Sequence, residues 1–104
     1  MLKKEAEQRQ AVEMLCTDML VPREHLLRKI DAAVNFARIY ELVEDLYCED
    51  NGRPSCDPVV LFKLVMIQHL FGIRSLRQTM RDAEVNVAYR WFLGYTMSQQ
   101  LPHF

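Results

Sequence analysis

The sequence predicts an all-α fold, a small multi-helix domain with a helix-turn-helix-like core. Apolar residues recur at helical spacing along nearly the whole chain. The three glycines and four prolines punctuate those periodic segments or stand at their ends. No stretch alternates as a half-buried strand would, and no repeat or low-complexity segment stands out.

Residues 2–15 are charged and weakly amphipathic, which predicts an amino-terminal helix within residues 1–20 that frays. Pro22 breaks the chain. From Glu24 to Ala33 a helix follows, with Leu26, Leu27, Ile30 and Val34 at helical spacing. Phe36, Ile39, Tyr40, Val43, Leu46 and Tyr47 form the apolar stripe of the next, and Glu41, Glu44 and Asp45 lie on its other face. Glu49 to Pro54 is a turn, in which Asn51-Gly52 supplies positive φ and Pro54 stops helix. Asp57 caps a central helix with Pro58 at its first position, where a missing N–H costs nothing. That helix, Val59 to Phe71, is apolar nearly all round, so burial on every side is expected. Gly72 ends it in the left-handed region. Ser75 and Gln78 have the spacing of a reciprocal capping box. Asn86 caps a last helix whose stripe is Val87, Ala88, Trp91, Phe92 and Tyr95, and Gly94 closes it.

With 104 residues the chain is one domain or part of a larger one, and its 50% hydrophobic content supports a small core. The net charge of −1 conceals an asymmetry. Residues 1–52 hold 7 Lys+Arg against 11 Asp+Glu, a net −4, while residues 53–104 hold 6 against 3, a net +3. Contact with a polyanion is therefore expected in the second half. Cys16, Cys48 and Cys56 are an odd count without a C-x-x-C pair, and no histidines stand at ligand spacing. This argues against a zinc site or a disulfide framework and suits reduced thiols in the cytoplasm. MLKKEAEQRQ lacks the apolar centre of a signal peptide. PVVLFKLVMIQHLF is interrupted by Lys63, Gln68 and His69 and is shorter than the roughly 20 residues a bilayer requires, so no membrane partner is expected.

The stretch GIRSLRQTMRDAEVNVAYRWFLG raises the functional question. Leu76, Met80 and Ala83 fall on one face of a helix, and Arg77 and Arg81 fall on the other. Arg74 stands beside the amino end. A buried helix, a short turn with glycine and a basic amphipathic helix make a helix-turn-helix plan. Arginine forks suit phosphate and guanine, and Gln78 suits adenine. The same face also fits a surface that is merely solvated. Arg53 either braces its turn or touches phosphate, and Arg90 either touches phosphate or stacks on an aromatic ring. Lys63 either snorkels outward or lines a cleft.

Catalytic readings are weaker. Glu41, Glu44, Asp45, Glu49 and Asp50 fit a solvated helix face better than a convergent pocket. His25, His69 and His103 are scattered and suit structural or surface roles, and Ser55 and Ser75 suit turn and cap positions. Tyr89, Trp91, Phe92 and Tyr95 suit a core better than a base-stacking platform.

LVPREHLLRKIDAAVNF, then IYELVEDLYCEDNGRPSCDPVVLFKLVMIQHLFGIRSLRQTMRDAEVNVAYRWFLGY, then LPHF, together resemble the InsH-type amino-terminal domain of bacterial insertion-sequence transposases, as in IS5-like elements. The resemblance runs from about Leu20 to Phe104. It implies an all-helical unit that precedes an RNase-H-like domain with a DDE carboxylate triad. It also implies a DNA-binding role at the element's terminal inverted repeats. That role would fall on Arg74, Arg77, Gln78 and Arg81, with Arg53 and Arg90 in support. Cys56 stands where an aliphatic residue is expected and Asn35 where an acidic one is common. No part of the chain has the pattern of the catalytic domain, so the expectation is a truncated transposase that is not itself an enzyme. Mg²⁺ would belong only to the absent domain, and no cofactor is expected here. The expected partners are double-stranded DNA and a second copy or full-length transposase, in a cytoplasmic, nucleoid-associated setting. The alternative is a dimerisation module that regulates full-length transposase, or a remnant without function.

Overall fold

The computed structural model describes residues 2–44 and 57–102. Six helices occupy them: α1 (Thr17–Leu20), α2 (Leu26–Ala33), α3 (Ala37–Val43), α4 (Pro58–Leu70), α5 (Leu76–Val85) and α6 (Val87–Leu93). There is no strand among the described residues, and the all-α expectation holds. The inferred helix over residues 24–33 starts at Leu26 instead. The part of the inferred helix 36–47 beyond Glu44, the turn at 49–54 with Arg53, and Cys48, Ser55, Cys56 and His103 lie outside the described residues.

Local chemistry explains most helix ends. The Asp57 carboxylate accepts from the Val59 N–H at 2.8 Å, and Pro58 opens α4. Ser75 Oγ accepts from the Gln78 N–H at 3.1 Å, and Asn86 Oδ1 from the Tyr89 N–H at 3.1 Å. Gly72 (φ 61°) and Gly94 (φ 88°) adopt the left-handed conformation that follows a helix. His25 caps α2, its Nδ1 accepting from the Leu27 N–H at 3.1 Å. The Tyr40 hydroxyl donates to both Asp57 carboxylate oxygens, at 2.9 and 2.7 Å, and so ties α3 to the cap of α4. That bond to a carboxylate pushes the Tyr40 pKa up.

Two helices organise the packing. α6 touches α1, α2, α4 and α5, and α4 touches α3, α5 and α6. Leu27, Leu64, Ile67, Thr79 and Phe92 are fully enclosed. Phe36 meets Phe92 edge to face, with ring centroids 5.6 Å apart. The buried Thr79 hydroxyl donates to the Ser75 carbonyl at 2.9 Å, so it is satisfied within its own helix.

Four expectations need correction. Residues 2–16 form no helix and are exposed throughout. A weakly amphipathic segment without a body to pack on lacks the tertiary contact that stabilises short helices. The inferred Ser75–Gln78 box is half formed. The Gln78 side chain donates to Asp82 at 2.8 Å, one turn on, instead of returning to Ser75. α4 is not enclosed on every side, because Phe62, Val65 and Leu70 remain exposed. Lys63 does not snorkel outward. Its ammonium turns inward, 4.6 and 5.0 Å from the Phe36 and Phe92 ring centroids, and donates to the Phe92 carbonyl at 2.8 Å. That carbonyl is in the last turn of α6, where no backbone N–H is available to it. Desolvation lowers the Lys63 pKa, and Asp31, 3.9 Å away, partly opposes the shift.

The roles of Arg28 and Arg90 as binders of backbone carbonyls have no signal in the sequence. The Arg28 guanidinium lies 4.6 Å from the Trp91 ring centroid. It donates to the carbonyls of Pro22 (3.1 Å), Val21 (2.9 Å) and Asp18, and to the Asp18 carboxylate (3.0 Å). The Trp91 indole N–H donates to that carboxylate at 2.9 Å. This cluster fastens α1 and the following loop to α2 and α6. Arg90 is buried, and its guanidinium donates to the carbonyls of Glu84 (3.1 Å), Thr96 (2.6 Å) and Gln99 (2.6 Å).

Arg90→Met keeps the side-chain bulk but removes those charge-assisted bonds. We expect a loss of about 2–4 kcal/mol in urea denaturation. Removal of the exposed residues 2–14 should change stability by less than about 0.5 kcal/mol. The Asp18 pKa lies below its ordinary value of 3.8, held there first by Arg28 and then by the Trp91 N–H. Its contribution is therefore complete above the unfolded value and disappears as pH falls through the lowered one. The stability gap between wild type and Asp18→Asn should be constant near neutrality and should close below pH 3.8, when denaturation is repeated at stepped acid pH.

Candidate nucleic-acid interface

The candidate interface is built on α5 and the turn before it. Gly72 reverses the chain after α4, and the Ile73 N–H donates to the Gln68 carbonyl at 2.9 Å. Ser75 then starts α5 in an extended conformation. Thr79 and Ala83 are buried and Leu76 and Met80 half-buried, which fixes the rotation of α5 against α4 and α6. At about 100° per residue, Arg77 and Arg81 then fall on the opposite side. Both are exposed, as are Arg74 and Gln78.

Among the described residues, Arg74, Arg77 and Arg81 have no ion-pair partner and no side-chain hydrogen bond. α5 is polarised along its axis. Arg74, Arg77 and the N–H groups of the first turn are at one end, where the peptide dipoles add positive potential. Asp82 and Glu84 stand toward the other end. Asp82 accepts from the Gln78 amide. An amide has two N–H donors and one carbonyl, so this bond positions Gln78 without exhausting it.

Thus the structure brings together four of the six residues singled out from the sequence: Arg74, Arg77, Gln78 and Arg81. Arg53 lies outside the described residues. Arg90 leaves the set, because it is 5% exposed and its guanidinium is engaged by three backbone carbonyls. It does not stack on Trp91 either, since Arg28 takes that ring. The carboxylates Glu41 and Glu44 are exposed on α3. No helix among the described residues is long and apolar enough to cross a membrane.

The class defined by this arrangement is an all-helical domain that presents a basic helix end to solvent. A family profile described as "Transposase domain (DUF772)" matches residues 15–104. The match covers most of the chain, which therefore belongs to that transposase-domain family, and this ties it to transposition. No curated protein and no solved structure gives a significant match.

The Ser75 cap sets the start of α5 and thereby the positions of Arg74 and Arg77. Ser75→Ala should cost about 1 kcal/mol of stability, while Ser75→Asp should retain the cap. Thermal unfolding of the pair checks this, and equal losses in both would refute the role given to the hydroxyl.

Proposed function

We propose that this chain is a DNA-binding domain of an insertion-sequence transposase, and that its duplex is the element's terminal inverted repeat. α4, the Gly72 turn and α5 act as a helix-turn-helix-like unit. Arg74, Arg77 and Arg81 neutralise backbone phosphate, and Gln78 reaches a base edge. The domain contributes binding and no strand transfer of its own. The observation that carries this reading is the set of three exposed arginines without protein partners, Arg74 and Arg77 at the capped end and Arg81 one turn along the same packed helix. Membership of the transposase-domain family supports DNA as the polyanion.

The mechanism is counterion release first and sequence reading second. Each phosphate neutralised adds about 0.9 to the slope of log affinity against log salt. A triple Arg74→Ala, Arg77→Ala, Arg81→Ala variant should therefore bind random duplex more weakly, with a slope shallower by about 2–3. Gln78→Ala should leave the slope in place and reduce the preference for the inverted repeat over random duplex. Fluorescence anisotropy across a salt series reads both. A wild type that ignores both duplexes at low salt would sink the proposal.

A further inference from the structure

We infer that Asp82 sets which base this domain reads: by holding the Gln78 amide, it directs Gln78 to adenine in an A·T pair and against guanine. The inference rests on the DNA-binding reading and deepens it. Gln78 Nε2 donates to Asp82 Oδ1 at 2.8 Å. A carboxylate only accepts, so it is the amide nitrogen of Gln78, and not the carbonyl oxygen, that faces Asp82.

The placement around α5 suits that task. At about 100° per residue, the order around the helix runs Arg77, Arg81, Gln78, Asp82 and then the buried Thr79. Gln78 therefore borders the basic face, and Asp82 stands behind it, toward the packed side. Gln78 is exposed and Asp82 half-buried. Burial first, and the nearby Asp82 charge second, push the Tyr89 pKa up, which puts this carboxylate beside α6. Asp82 makes no ion pair among the described residues, although arginines abound on its helix. Its bond goes to the one neutral polar side chain of the candidate interface.

The consequence is chemical. In the major groove guanine shows two acceptors, N7 and O6, whereas adenine shows the N7 acceptor and the N6 amino donor. A free glutamine amide can answer either base, with both N–H groups for guanine or with one N–H and the carbonyl for adenine. With one N–H committed to Asp82, a single N–H and the carbonyl remain, which is the set adenine requires. Guanine would leave an acceptor facing an acceptor, and a buried unpaired acceptor is costly. Gln78 is also held before DNA arrives, so it has less rotamer freedom to lose on binding. Asp82 acts on the base through Gln78 and is a positioning residue.

The test uses the full chain and duplexes of the terminal inverted repeat in which each base pair is replaced in turn, read by fluorescence anisotropy. Wild type should lose roughly tenfold in affinity when one particular A·T pair becomes G·C. Gln78→Ala should flatten that position and no other. Asp82→Ala should cut the discrimination at the same pair to about twofold or less, with helical circular dichroism retained. Asp82→Glu still offers an acceptor four residues on and should restore most of it. Loss of a carboxylate raises affinity for every duplex, but the ratio between the A·T and G·C versions cancels that effect. If the bond merely stabilises the helix, Asp82→Ala lowers the thermal midpoint and leaves the ratio intact, which overturns the inference. A wild type that binds but favours guanine, or nothing, at the pair governed by Gln78 also overturns it, and DNA binding itself stands in both cases. Binding to no duplex at low salt overturns both readings.

Discussion

The Arg90 guanidinium is a charged group buried in α6, so it must find acceptors inside the protein. It finds them in the backbone: the Glu84 carbonyl near the end of α5, and the Thr96 and Gln99 carbonyls after α6. Three segments are thereby held to one planar group. The consequence for α5 is direct, because a helix held at its far end by Arg90 and at its near end by the Ser75 cap has little freedom to turn. The segment after α6 is folded back until Leu101 is buried. Lys63 completes the same hub from below by satisfying the Phe92 carbonyl, while the Arg90 and Trp91 carbonyls accept from Gly94 and Tyr95.

The division between inner and outer cations follows from these contacts. Of the six basic residues in the second half, Lys63 and Arg90 are turned inward onto carbonyls, and Arg53 is outside the described residues. Arg74, Arg77 and Arg81 remain on the surface. A net charge of +3 over residues 53–104 therefore overstates the field that a polyanion meets. What matters is that the remaining charge lies on one exposed helix face and the turn before it, Arg74 and Arg77 at the amino end of α5 and Arg81 one turn further on.

Legibility in the sequence tracked the range of the interactions. The caps at Asp57, Ser75 and Asn86 and the glycines at 72 and 94 were readable because each partner lies within three residues or in the residue's own φ. The outward placement of Arg77 and Arg81 was readable from periodicity. The roles of Arg28, Lys63 and Arg90 were not. Their hydrogen-bond partners are 6 to 29 residues away, and the Trp91 bond to Asp18 spans 73. A basic residue in an apolar helix gives no sign of which carbonyl will lack a donor. The amino-terminal helix failed for a related reason, since a weak stripe predicts helix only where a surface exists to receive it.

The pairing pattern on α5 bears on why these arginines are there. Arg77 and Arg81 are four apart, an arrangement that costs an exposed helix about 0.2–0.5 kcal/mol by like-charge repulsion. A carboxylate at either place would relieve it, and one is near at hand in Asp82. Yet Asp82 accepts from Gln78, the neutral member of the face. α5 tolerates the repulsion because Thr79, Ala83 and the Ser75 cap hold it in place. A surface shaped by stability alone has no use for such an arrangement. The DNA-binding proposal accounts for it, because an arginine without a protein partner would bind phosphate without first breaking an ion pair.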